Sequence, residues 1–104
     1  MIIQFNTDNN IDGNERLSKY LETSLTDSLR RFNSYITRLE VHLSDENANK
    51  EGQKDKRCLL EARLEGMQPI AVTNKDDTIE QAVNGAVDKL KAALDTAVGK
   101  LKQH

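Results

Sequence analysis

One cysteine, one proline and two histidines in 104 residues each close off a class of protein. The single thiol, Cys58, cannot build an internal disulfide framework and fits a reducing compartment. His42 and His104 are the only near-neutral acid–base groups, and the second is the terminal residue, so general acid–base catalysis has little to draw on. No zinc-ligand spacing, phosphate-cradling glycine loop, calcium loop or nucleophile elbow occurs, so no catalytic residue, metal or cofactor is expected. No apolar run approaches the roughly 20 residues of a membrane helix. The start, Met1-Ile-Ile-Gln-Phe, lacks the basic and long apolar regions of a secretion signal. These absences predict a cytoplasmic protein that is not an enzyme, touches no membrane, takes no small-molecule substrate and is monomeric when free.

What is present suffices for one core. Hydrophobic residues are 37% and charged residues 31%, a balance that folds as a single domain over 1–104. Fifteen Lys and Arg against seventeen Asp and Glu leave a net charge of −2, which excludes a uniformly basic nucleic-acid coat. Any basic surface must be a local patch.

With one proline and five glycines as punctuation, long regular elements are expected. Ile2 to Thr7 reads as a β-strand. From Asn14, Leu17, Leu21, Leu25, Leu29 and Phe32 recur at three- and four-residue steps and predict one amphipathic helix, broken at Asn33-Ser34. Leu39, Val41 and Leu43 alternate with polar neighbours, as do Cys58, Leu60, Ala62 and Leu64, giving two further strands with one wet face each. The polar stretch 45–55 reads as a mobile hairpin loop. Pro69 to Thr73 makes a fourth strand, placed at an edge where proline is tolerated. Asp76-Asp77-Thr78 starts a second helix whose apolar face runs from Ile79 to Leu101. The order β-α-β-β-β-α predicts an α+β fold: a four-stranded, mainly antiparallel sheet with two helices packed on one face.

The chemistry-bearing residues are cations on the helices. At 100° per residue, Arg16, Lys19, Thr23, Thr26 and Arg30 form one strip of the first helix, away from the leucines. On the second helix Lys89, Thr96, Lys100 and Gln103 flank the apolar stripe on one side, and Lys91 and Lys102 on the other. Such groups donate to phosphate oxygens; the plainer reading is a solvated face of snorkelling lysines. His42, on the outward phase of its strand, reads as inert, and Cys58, on the inward phase, as a buried thiol.

The second helix carries a resemblance. Asp77-Thr78-Ile79-Glu80-Gln81-Ala82-Val83, then Ala86-Val87-Asp88-Lys89-Leu90, and the ending Lys100-Leu101-Lys102-Gln103-His104 are similar to the hibernation-promoting factors, the ribosome-associated inhibitors of the bacterial subunit interface. The resemblance spans the chain, since that family shares the element order derived above, and the length looks like its short form. It implies a non-enzymatic regulator whose partner is the small ribosomal subunit. The two helices would lie against ribosomal RNA in the channel of messenger and transfer RNA, silencing idle ribosomes. The implied RNA contacts are Lys89, Lys100 and Lys102, where the family pattern is retained, supported by Arg16, Lys19, Arg30, Arg31 and Lys91. The chain departs from the family at Ser24 and Ser28, with Asp27 beside them, where lysines are usual. It departs again around Ala92, Thr96, Ala97 and Val98, where the family is basic. Those departures and the acidic total leave an alternative: a protein-interaction module on the same fold that has given up ribosome binding. A hydrolase built around His42 is a distant third.

Overall fold

The computed structural model describes residues 1–7, 15–46 and 55–101. The elements are β1 (Ile2–Thr7), α1 (Glu15–Ser28), a 3₁₀ turn (Arg30–Phe32), β2 (Ile36–Asp45), β3 (Lys56–Leu64), β4 (Ile70–Asp76) and α2 (Ile79–Leu101). The expected β-α-β-β-β-α order is the one observed. The strands lie in the order β1-β2-β3-β4. β2, β3 and β4 form an antiparallel meander, whereas β1 runs parallel to β2 with Ile2 opposite Arg38 and Thr7 opposite Leu43. A parallel pair needs a crossover, and α1 supplies it.

One core holds the layers together. Leu39, Val41 and Leu43 of β2 and Cys58, Leu60, Ala62 and Leu64 of β3 are buried with Leu21 and Leu25 of α1 and with Leu90 and Leu94 of α2. Both helices therefore cover the same sheet face, as the period of two on the strands requires.

Three local departures from simple periodicity have physical causes. The stripe of the first helix is not continuous: α1 stops at Ser28, and the 3₁₀ turn delivers Phe32 to the core. In β2 the alternation slips. Ile36 and Leu39 are both buried, three residues apart, because the register shifts between Ile36 and Arg38, and the Thr37 hydroxyl donates to the Arg63 carbonyl at 3.0 Å. The fourth strand runs over Ile70–Asp76 rather than Pro69 to Thr73, so Asp76 closes the strand, and Thr78 caps α2, its Oγ1 accepting from the Gln81 amide at 3.1 Å. Asn74 explains the extension. Its Nδ2 donates to the Ala82 carbonyl of α2 at 3.1 Å, so an amide on the inward phase of β4 keeps a partner. Gly85 makes the approach possible, because a Cβ there would collide with the Asn74 carboxamide.

At the base of the β2–β3 hairpin the Glu46 amide donates to the Asp55 carbonyl at 2.9 Å, and the Lys56 ammonium lies 3.0 Å from Asp45 and 3.2 Å from Asp55. The hydrogen bond to Asp45, then that to Asp55, raises the pKa of Lys56. The mobility expected of the rest of that loop falls on residues 47–54, outside the described residues.

Candidate nucleic-acid interface

Two broad surfaces of the described residues can meet a partner: the open sheet face and the outer side of the helix layer. The sheet face pairs three of its cations with carboxylates and leaves Arg38 exposed without a carboxylate partner among the described residues. Arg63 bridges Glu40 at 3.2 Å and Glu61 at 3.3 Å, while Glu46 takes Lys75 at 2.8 Å and Arg57 at 3.7 Å. Cations already matched by carboxylates on the same face offer an anion little net field. His42 sits half-buried on this face opposite Leu59 and Asn6.

The helix layer is built differently. Arg16, Leu17 and Tyr20 of α1 share a cleft with Glu80 at the start of α2, and Arg31, just beyond α1, pairs with Asp95 near its end. The helices therefore run side by side in the same direction and expose a shared ridge. The sequence-expected cations of the helix layer fall into three groups, with Lys89 and Lys100 on the flank of α2 that faces β4. Arg16, Lys19 and Lys100 are exposed and Lys91 is half-buried, and none of the four has a carboxylate partner among the described residues. Arg30 and Arg31 are exposed but engaged: Arg30 with Asp27 at 2.7 Å, Arg31 with Asp95 at 2.8 Å, the Arg31 guanidinium also lying 4.4 Å from the centre of the Phe32 ring. Lys89 is exposed, but its Nζ donates to the Thr73 carbonyl of the edge strand β4 at 2.8 Å. Lys102 lies outside the described residues.

The departures from the family pattern also sort by position. Val98 is buried in the core beside the Arg31–Phe32 turn, so it is a packing position and not a phosphate contact that has been lost. Ala92 and Thr96 are exposed, and Ser24 and Ser28 are half-buried on α1, so there the surface does carry fewer cations. Sequence reasoning missed the Lys89–Thr73 bond, which only the tertiary structure creates. It also missed Tyr20, whose signal was available: an aromatic off the leucine stripe, between Lys19 and Leu21.

Cys58 is fully buried, and burial pushes its thiol up to about 12, far from a thiolate at neutral pH. Among the described residues no group of three His, Cys, Asp or Glu side chains can hold a metal ion, and no helix is long and apolar enough to cross a membrane.

Residues 3–102 match the model of the family described as sigma 54 modulation protein / S30EA ribosomal protein. The chain belongs to that family. This is the group that the Asp88-Lys89-Leu90 helix resembled. Two solved structures share the fold. The Thermus thermophilus Protein Y N-terminal domain is 22% identical, with a TM-score of 0.71 over 92% of this chain and 98% of that one. A ribosomal subunit interface protein from Coxiella burnetii is 17% identical, with a TM-score of 0.76 over 95% of this chain and 99% of that one. No curated protein sequence matches the chain.

Proposed function

We propose that this S30EA-family protein is a non-enzymatic translation regulator of the cytoplasm. It would bind small-subunit ribosomal RNA at the subunit interface through its helix layer and silence idle ribosomes by occupying the decoding region. The reading rests on family membership over residues 3–102. The charge geometry supports it, because carboxylates pair Arg57, Arg63 and Lys75 of the sheet and leave only Arg38 there without a carboxylate partner among the described residues, while on the helix layer Arg16, Lys19, Lys91 and Lys100 have none among them. Binding needs no cofactor and no bond-making residue; shape and phosphate contacts suffice.

Sedimentation with purified ribosomes through sucrose at low and high salt tests the reading. Co-sedimentation at low salt that is lost at high salt is the expected result. Lys89→Glu, Lys100→Glu and Lys102→Glu combined should abolish it with the circular-dichroism spectrum unchanged, whereas His42→Ala on the opposite face should have no effect. Each single phosphate contact removed should lower the slope of log K against log salt by about 0.7 to 0.9. Absence of co-sedimentation at either salt would favour the protein-interaction alternative, to which the acidic total and the paired state of Arg30 and Arg31 lend weight.

A further inference from the structure

Of the four aromatic side chains in the chain, Phe32 is buried and Phe5 and Tyr35 are half-buried in or against the core; only Tyr20 stands out, 55% exposed. Its place is not neutral. It lines an open cleft of about 310 Å³ between the starts of the two helices, together with Arg16, Leu17 and Glu80. Arg16 lies one turn before it and Lys19 immediately before it, both exposed and without a carboxylate partner among the described residues. At the other end of α1 the arginines are already held by Asp27 and Asp95. The cations of α1 without a carboxylate partner among the described residues are therefore the ones that flank its one exposed aromatic ring.

That combination has a specific chemical use. A duplex keeps its bases stacked and presents only backbone and groove edges, for which an exposed ring has no use. A single-stranded segment presents unstacked bases, which settle on aromatic faces while nearby cations hold the phosphates. Building on the ribosome reading above, we propose that Tyr20 is a stacking platform for one unpaired RNA base, with Arg16 and Lys19 on the adjoining phosphates. Glu80, on the far wall of the cleft, is an acceptor only, so it favours a base edge that donates, such as an exocyclic amine.

The test exploits the absence of tryptophan from the chain, which makes Tyr20→Trp a single fluorescent reporter. Wild type, Tyr20→Ala, Tyr20→Phe and Tyr20→Trp are titrated with purified small ribosomal subunits across a salt series. Tyr20→Ala should bind roughly tenfold more weakly with its salt slope unchanged, because the lost contact is uncharged. Tyr20→Phe should bind as wild type, and the Tyr20→Trp emission should be quenched on binding. Arg16→Ala should lower the salt slope by about 0.7 to 0.9 in the same assay. Thermal melts of all variants should match wild type, since the ring packs little against the core. Binding of Tyr20→Ala within twofold of wild type overturns the stacking site and leaves the ribosome reading intact. Weakened binding of Tyr20→Ala with an unquenched Tyr20→Trp also overturns it, in favour of contact with a ribosomal protein. Failure of the wild type itself to bind small subunits removes both readings.

Discussion

Arg31 and Asp95, 64 residues apart in sequence, meet at 2.8 Å and pin the turn after α1 to the last third of α2. The pair has a second effect, since the carboxylate occupies an exposed arginine of the helix layer. Asp27 does the same to Arg30 one turn earlier.

Replacing these acids by their neutral isosteres should therefore release two cations. Exposed ion pairs contribute about 0.2–1 kcal/mol each, so Asp27→Asn and Asp95→Asn should shift the urea midpoint only slightly. Under the ribosome reading the double variant should bind small subunits several-fold more tightly, with a steeper salt slope. Glu65→Gln, at the exposed β3–β4 turn, is the control for net charge when set against either single Asn variant, each of which removes one charge. If it tightens binding as much as each single Asn variant does, release of Arg30 and Arg31 is not the cause.

Gly85 and Asn74 should show a change of sign. In a helix interior Ala is favoured over Gly by about 1 kcal/mol. With Asn74 present, however, a Cβ at residue 85 drives the carboxamide off the Gln81 and Ala82 carbonyls. Gly85→Ala should destabilise the protein by roughly 1–3 kcal/mol, the cost of disturbing a partly buried hydrogen-bonded amide. In an Asn74→Ala background the same change should stabilise it. Denaturation of the four members of the cycle decides the matter, and additivity within 0.5 kcal/mol would rule out the contact.

The Cys58 thiol should make folding sensitive to alkaline pH. Burial raises its pKa to about 12 from an ordinary value of 9.0. Below pH 9 the thiol is neutral in both states and stability is unaffected. Above it the unfolded thiol ionises while the folded one keeps its proton, so stability falls as pH rises, at most by about 1.4 kcal/mol per unit until the folded thiol also ionises. From pH 9 to 10.5 the urea midpoint of the wild type should fall relative to that of Cys58→Ala, so that the advantage the wild type holds at pH 8 shrinks progressively. At pH 8 the native thiol should react with a disulfide reagent only through unfolding.

Thr78 should behave as a helix cap. Removing its oxygen with Thr78→Ala leaves the Gln81 amide without its 3.1 Å partner and should cost about 1 kcal/mol in thermal or urea denaturation. Thr78→Ser should restore most of it.

The β-rich and 3.6-residue periods made the element order legible, because burial on one face forces apolar residues into phase. The alternation of Leu39, Val41 and Leu43 and the stripe through Val83, Leu90 and Leu94 needed no tertiary information. Where tertiary contacts override local pattern, the reading stopped. Ile36 joins the core only because a bulge resets the phase at Thr37, and Val98 is buried because the Arg31–Phe32 turn folds against it. Leu101 shows the converse: it continues the stripe yet stays 42% exposed at the end of α2. The site was legible as composition and not as availability. Helical spacing put Arg16, Lys19, Arg30 and Arg31 on one helix, but not that the first two have no carboxylate partner among the described residues and the last two are already paired.

The parallel docking of β1 separates the order of synthesis from the order of assembly. Ile2 pairs with a residue 36 positions later, whereas β2, β3 and β4 meet through short hairpin connections. Closing the longer loop costs more chain entropy and waits on a β2 already in place. The first strand to leave the translating ribosome is thus the last to find its seat. Until then Ile3 and Phe5 stay uncovered and one side of β2 remains an open edge, the surface on which a nascent chain of this fold is most exposed to mispairing.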